Sequence, residues 1–293
     1  MKTIGVIGLG SIGARHAKNL LAMGHKVIGY DPATPNIPGA EVWDKWIALD
    51  DMDGMIIASP ADLHLEHMRN VSYERIPYFV EKPIAHTLKD LELWDHPPLM
   101  VGYNLRFHSC VKKAKEWLDA GLIGKPLWAN FTLGQYNDRP PYLRDGVILN
   151  WSHEIDLCLH LLGRASLVSS STRITNDKDD MSDILLWHEN DCRSSIHLDY
   201  ITKPEIRKFT IVGTKNSLTV DLVGRVASIP RNYGEELPDF CICGTDSWND
   251  NYIEEMQAFI DRIDGKETIG CSGEEGLEVL KICLEVRKQA GLP

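Results

Sequence analysis

Thr3-Ile4-Gly5-Val6-Ile7-Gly8-Leu9-Gly10-Ser11-Ile12-Gly13 decides the fold. A short β-rich run enters three glycines spaced Gly-x-Gly-x-x-Gly. The residues that follow carry apolar side chains at 12, 17, 20 and 21, a helical period that stops at Gly24. In a strand–turn–helix of this spacing the first glycine makes the turn and the second lets the backbone approach a pyrophosphate. The third lets helix and strand pack closely. The helix N-terminus then offers phosphate its unpaired N–H groups and partial positive charge. The spacing alone is weak, but here it follows a strand and opens a helix. Gly8, Gly10, Ser11, Ile12 and Gly13 are therefore expected to bind a dinucleotide.

Outward from this stretch, strands expected over 26–30, 54–58, 78–80 and 99–101 alternate with helices over 62–72 and 87–94. Such alternation needs crossovers and a parallel sheet, hence a Rossmann dinucleotide-binding domain over residues 1–103. The pattern then changes. A helix over 109–120 ends at Gly121, a strand covers 127–136, and an apolar helix over 150–162 ends at Gly163. From 167 to 229 the chain reads mainly as β, with a hairpin whose turn is 213–216. Residues 231–250 read as loop, and 252–263 and 274–288 as amphipathic helices. The fold class is thus α/β followed by α+β. Residues 104–293 are expected to form a substrate-binding and oligomerisation domain, a mainly antiparallel open sheet with helices on one face. The last helix is a candidate to pack back on the first domain.

Asp31 ends the second strand, where a carboxylate accepts from ribose hydroxyls and repels a 2′-phosphate. No Arg or Lys follows in Pro32-Ala33-Thr34-Pro35, so NAD is expected over NADP. Ser59 and Pro60 follow the strand over 54–58, where the chain crosses beside the bound dinucleotide. Lys82, inside Glu81-Lys82-Pro83, sits at the end of the apolar run Pro77-Tyr78-Phe79-Val80. A cation at the carboxyl edge of a parallel sheet, beside the cofactor crevice, is placed to polarise a substrate oxygen. His153, in Asn150-Trp151-Ser152-His153-Glu154-Ile155-Asp156, stands near a helix start capped by Asn150 or Ser152, with Asp156 three residues on. A histidine paired with a carboxylate there suits general acid–base work. His64 and His67 share a helix spacing but have no third ligand nearby, and Leu157 stands where a zinc-protease motif needs its second His, so no metal is expected.

The bulk properties bound the function. Of 293 residues 43% are hydrophobic and 25% charged, and the formal net charge is −11, which argues against nucleic acid as partner. No apolar stretch approaches the length of a membrane span, and the N-terminal run lacks the pattern of a secretory leader. The seven cysteines contain no Cys-x-x-Cys and read as reduced, so a cytoplasmic location is expected.

Together these segments resemble the glucose–fructose oxidoreductase / inositol dehydrogenase / rhizopine catabolism (Gfo/Idh/MocA) family. The resemblance rests on the glycine fingerprint, Ala58-Ser59-Pro60 with His64, and Glu81-Lys82-Pro83. It continues through Gly102-Tyr103-Asn104-Leu105-Arg106-Phe107-His108, Gly121-Leu122-Ile123-Gly124-Lys125-Pro126 and Ser152-His153-Glu154-Ile155-Asp156. It implies oxidation or reduction of a hydroxyl or ketone on a sugar, inositol or nucleotide-sugar, with Lys82 orienting the oxygen and His153 exchanging its proton. It adds His64 and Glu81 to the cofactor contacts and Asn104, Arg106, His108, Asn150 and Trp151 to the substrate contacts. It also implies that the open sheet serves a homodimer or homotetramer. The chain departs from the pattern before His153: relatives carry an Asp three or four residues earlier, where this chain has Asn150 and Leu149. Its approach over 139–146 is also shorter, with Arg139 and Arg144 as the nearest cations for a substrate phosphate. These departures keep two alternatives in view, a non-catalytic NAD or sugar sensor and a lyase or hydrolase that uses NAD transiently.

Overall fold

The structure is a computed structural model that describes residues 1–44, 52–73, 75–89, 91, 97–136, 146–230, 240–243 and 247–292. The chain divides into two compact units, Met1–Phe107 with Ser247–Leu280, and His108–Asp246 with Lys281–Pro293.

The first unit opens with β1 (Thr3–Ile7), α1 (Ser11–Ala22), β2 (Lys26–Tyr30), β3 (Glu41–Trp43), β4 (Gly54–Ile57), α2 (His64–Tyr73), β5 (Tyr78–Glu81) and β6 (Met100–Gly102). The six strands form one parallel sheet in the order β3-β2-β1-β4-β5-β6. The chain winds outward from β1 to β3, then restarts on the other side at β4. This reversal leaves a crevice at the carboxyl ends of β1 and β4, the point at which doubly wound sheets bind ligands. The strands read as continuous apolar runs because both faces are covered; β4 and β1 are buried almost throughout. Two details depart from the sequence reading. β3 has no apolar run and was not expected; it exists because Ile28, Gly29 and Tyr30 offer it a strand to pair with. The described part of the expected helix over 87–94, residues 87–89 and 91, is not helical; the remainder lies outside the described residues.

The second unit contains α3 (Ser109–Asp119), β7 (Pro126–Gly134), α4 (Gly146–Asn150), α5 (His153–Leu162), β8 (Ala165–Thr175), β9 (Lys178–His188), β10 (Arg193–Asp199), β11 (Ile206–Gly213), β12 (Ser217–Asp221), β13 (Val226–Ile229) and β14 (Phe240–Cys243). They make one sheet in the order β14-β13-β12-β11-β7-β10-β9-β8, antiparallel except for the parallel pair β7–β10. α3 lies against β12 and β13, and α5 against β7 and β10. One face is therefore covered: Phe131 stacks on Phe209 with ring centroids 5.0 Å apart. The alternate residues of the same strands face away. β14 falls inside the stretch read as loop, of which 231–239 and 244–246 lie outside the described residues, as do Arg139 and Arg144.

After this sheet the chain returns to the first unit as α6 (Trp248–Ile263), opened by a capping box between Ser247 and Asp250. Met256, Phe259 and Ile260 of α6 join Ile4, Val6, Ile56 and Phe79 in one core. α7 (Gly273–Gln289) follows, its residues divided between the units.

Candidate active site

The dinucleotide loop is built by contacts that only glycine allows. Gly8 has φ +83°, and a Cβ there would fall 2.7 Å from the Ser59 Cα and backbone N. A Cβ on Gly13 would lie 1.8 Å from the Gly8 carbonyl oxygen. Gly10 differs, because a Cβ there meets nothing of the protein within 4 Å. Its bareness serves the ligand: it opens α1 as the N-cap residue and leaves room for a pyrophosphate over the helix N-terminus. Ser11 and Ile12 follow in the first turn. Asp31, after β2, accepts from the Leu9 N–H at 2.7 Å and from the Ala33 N–H at 2.8 Å. Its carboxylate is thus locked beside the loop, with lone pairs left for ribose hydroxyls. These residues fit a dinucleotide.

Ser59 follows β4 and Lys82 follows β5, so both stand at the carboxyl edge that carries the glycine loop. Pro60 sits at the cap of the short 3₁₀ turn Ala61–Leu63 that leads into α2. Glu81 is bonded within the protein: its Oε1 accepts from His16 Nε2 at 2.7 Å, and its Oε2 accepts from the Lys82 backbone N–H at 3.1 Å. Gly102 leaves the space, since a Cβ there would lie 2.8 Å from the same carboxylate. His64 is buried, with Nε2 2.9 Å from the Ser59 carbonyl oxygen and Nδ1 3.0 Å from that of Pro83. His67 bonds the Ser59 hydroxyl through Nδ1 at 2.8 Å. Among the described residues, His16, Glu81 and Glu255 place donor atoms within 4.8 Å of one another, a set that could hold a cation. The direct bond between His16 and Glu81 engages two of them with each other.

Asn104 and Arg106 lie in the buried 3₁₀ turn Asn104–Phe107. Arg106 donates to Glu275 at 2.8 Å and to the Gly270 carbonyl at 3.2 Å, so its guanidinium ties this turn to the start of α7. Glu275 is partly buried, which raises its pKa, yet the Arg106 charge and the Ser272 N–H hold it below the usual value. In the second unit His108 caps α3, its Nδ1 accepting the Cys110 N–H at 3.2 Å. Both side chains expected at the substrate therefore have structural partners.

The helix expected over 150–162 is two helices, α4 and α5, broken at residues 151 and 152. Ser152 occupies the capping position, but its side chain makes no capping bond. His153 is the first residue of α5 and Asp156, fully buried, stands one turn on. Glu154, between them, forms a two-point ion pair with Arg207 at 2.7 and 3.1 Å. Asn150 donates to the Tyr200 hydroxyl at 2.7 Å, and Trp151 packs edge-on against the same ring at 4.3 Å. Cys158, further along α5, is core: burial pushes its thiol up to about 12 despite the Ser194 hydroxyl beside it. The fold gathers the glycine loop, Asp31, Ser59, Glu81 and Lys82 at one sheet edge, and Asn150, Trp151, His153 and Asp156 at one helix start. His16 and Tyr200, which no motif marked, each touch one of these sets.

Comparison with known proteins agrees with this geometry. The family model described as oxidoreductase family, NAD-binding Rossmann fold, matches residues 2–95, and that for the GFO/IDH/MocA C-terminal domain matches 111–219. The chain is 28% identical to the D-apiose dehydrogenase of Rhizobium rhizogenes over 52% of its length and 48% of that protein's. It is 23% identical to the myo-inositol 2-dehydrogenase of Thermotoga maritima, covering 97% of this chain and 95% of that one. Among solved structures, levoglucosan dehydrogenase in complex with NADH and levoglucosan superposes with a TM-score of 0.89 at 18% identity, covering 99% of this chain and 97% of that chain. At that identity the likeness is one of fold.

Proposed function

From a chain that belongs to the GFO/IDH/MocA oxidoreductase family, with its NAD-binding Rossmann fold, we propose a dehydrogenase of a sugar, inositol or nucleotide-sugar hydroxyl. NAD, when bound, supplies the hydride acceptor or, reduced, the donor. Lys82 points its ammonium at the reacting oxygen and stabilises charge that develops there. His153 takes or returns the hydroxyl proton, with Asp156 one turn along α5. Asp31 selects NAD over NADP, since a 2′-phosphate would meet a fixed carboxylate. The relatives act on D-apiose and on myo-inositol by name, which supports a polyhydroxylated substrate.

The observation that carries the proposal is Lys82 at the carboxyl edge of β5, beside β4, with Ser59, two residues beyond β4, against Gly8. The test is nicotinamide absorbance during incubation with a panel of sugars, inositols and nucleotide-sugars, offering NAD and NADP separately. NAD-linked turnover that falls on the order of 10²-fold or more in Lys82→Ala is expected. Near-normal turnover in that variant refutes the assigned mechanism. NADH binding without turnover across the panel favours the sensor reading, for which Asn150 in place of a carboxylate is the motive.

Assembly of two or more copies through the open face of the second sheet is part of the same reading. Trp128, Leu185 and Trp187 stand there 45%, 48% and 47% exposed. Apolar side chains grouped in this way suit a protein interface.

A further inference from the structure

Two backbone carbonyls converge on one buried ring. His64 is 1% exposed, and its two nitrogens face the Ser59 and Pro83 carbonyl oxygens at 2.9 and 3.0 Å. Carbonyls only accept, so each contact needs a ring N–H. Ser59 is the residue on which Gly8 of the dinucleotide loop rests. Pro83 directly follows Lys82. On the other side of Lys82, the Glu81 carboxylate accepts both from His16 and from the Lys82 backbone N–H. The lysine backbone is therefore held from both sides by buried histidines, and His64 alone also reaches the support of the glycine loop.

We propose that His64 is a positioning residue for Lys82. One buried imidazole lies between the carbonyl under the dinucleotide loop and the carbonyl just after Lys82, donating to one of them when neutral and to both when protonated, so that loop and ammonium keep a common register. This rests on Lys82 being the group that meets the substrate oxygen. Neither a leucine nor a glutamine can replace the ring. Leucine leaves both carbonyls without a donor, and glutamine carries its N–H groups on a single nitrogen and turns an oxygen elsewhere.

The clamp has a proton signature. A neutral imidazole has one N–H, so both contacts are satisfied together only in the imidazolium. Burial draws the His64 pKa below 6.5, opposed by the Pro83 and Ser59 carbonyls and by the Glu81 charge, and assisted by His86. One N–H bond is thus held at neutral pH, and the second forms only as pH falls through the depressed pKa of the buried ring.

The experiment uses the full chain and compares His64→Gln and His64→Leu with Phe259→Leu, a core substitution in the same unit at a ring that packs against Phe79. The acylation rate of Lys82 by acetic anhydride, followed by peptide mass spectrometry across pH, needs no substrate. We expect it to change about threefold or more in both His64 variants, corresponding to about half a pKa unit, and to be unchanged in Phe259→Leu. Turnover should fall on the order of 10²-fold, the cost of a catalytic group displaced by about 1 Å, with KM changing far less than kcat. Lys82 acylation that matches Phe259→Leu overturns the proposal. If neither His64 variant folds, the His64 pKa measured by NMR in the unsubstituted protein decides. The clamp requires that pKa to move when NADH binds, because the two equilibria are linked, and an identical pKa overturns it. Undiminished turnover in Lys82→Ala would refute the catalytic reading alone, while acylation still reports whether His64 holds the lysine.

Discussion

Side chains of the same type do different work here according to what the fold puts beside them. Arg106 and His108 sit in a segment that matches a family motif, yet one is paired with Glu275 and the other caps α3. Neither role was legible, because Glu275 lies 169 residues away and a cap depends on where a helix begins. Asn150 is a sharper case. Its amide donates to Tyr200 at 2.7 Å, where an aspartate would instead accept from the same hydroxyl. Asn150→Asp is therefore sterically quiet and restores a carboxylate before His153. If charge is what turnover lacks, kcat should rise several-fold, about 3–10-fold for a neighbouring solvated charge, with the low-pH limb of the rate profile displaced. His197, on the open face, bonds Asp183 at 2.7 Å and Asp199 at 2.9 Å. Burial draws its pKa down, but the two carboxylates prevail and raise it above 6.5. A raised pKa stabilises the fold fully below 6.5 and loses that contribution as pH climbs through the folded value. Urea unfolding at pH 5.5 and 8.5 should show His197→Gln weaker than the unsubstituted protein by on the order of 0.5–1 kcal/mol at the lower pH. The gap should close at the higher one.

At the scale of elements, spacing carried most of the information. Strands β1, β2, β4 and β5 and helices α1, α3, α6 and α7 fall within a few residues of where apolar periodicity puts them, because one local pattern suffices for each. β3 and β14 escaped it. Both are short edge strands that exist by pairing with a neighbour, and pairing has no local signature. The helix before Leu162 escaped differently, since its apolar run does not reveal the break at 151 and 152. The first helix of the chain permits a direct test. Gly13→Ala would place a methyl 1.8 Å from the Gly8 carbonyl, which is backbone and cannot swing aside. We expect a loss of about 1–3 kcal/mol, the usual cost of overpacking, together with NADH affinity weakened at least tenfold. Gly10→Ala, with open space around its Cβ, should keep its stability and lose affinity alone. Thermal unfolding with and without NADH separates the two.

For the molecule as a whole, a net charge of −11 opposes the close approach of copies, and the open sheet face is the surface proposed above for their contact. Trp128, Arg193 and Trp187 stand in one cross-strand row there, with the Arg193 guanidinium 4.1 Å from the Trp187 ring centroid. Trp187→Glu should shift the protein to a smaller species in sedimentation velocity while leaving NADH binding intact. An unchanged sedimentation coefficient would remove this face as the interface. What the sequence determined by itself was whatever a local run of residues can encode: the glycine turn, the alternation of strand and helix, the lysine at the end of β5 and the histidine that opens α5. Only the tertiary structure decided which groups those residues answer to. It turned Glu81 to His16 across 65 residues, set His64 between the Ser59 and Pro83 carbonyls, and left the Trp128–Trp187 row uncovered. The reason is physical: periodicity fixes which way a side chain faces, but its partner comes from another element that only packing brings within hydrogen-bond reach.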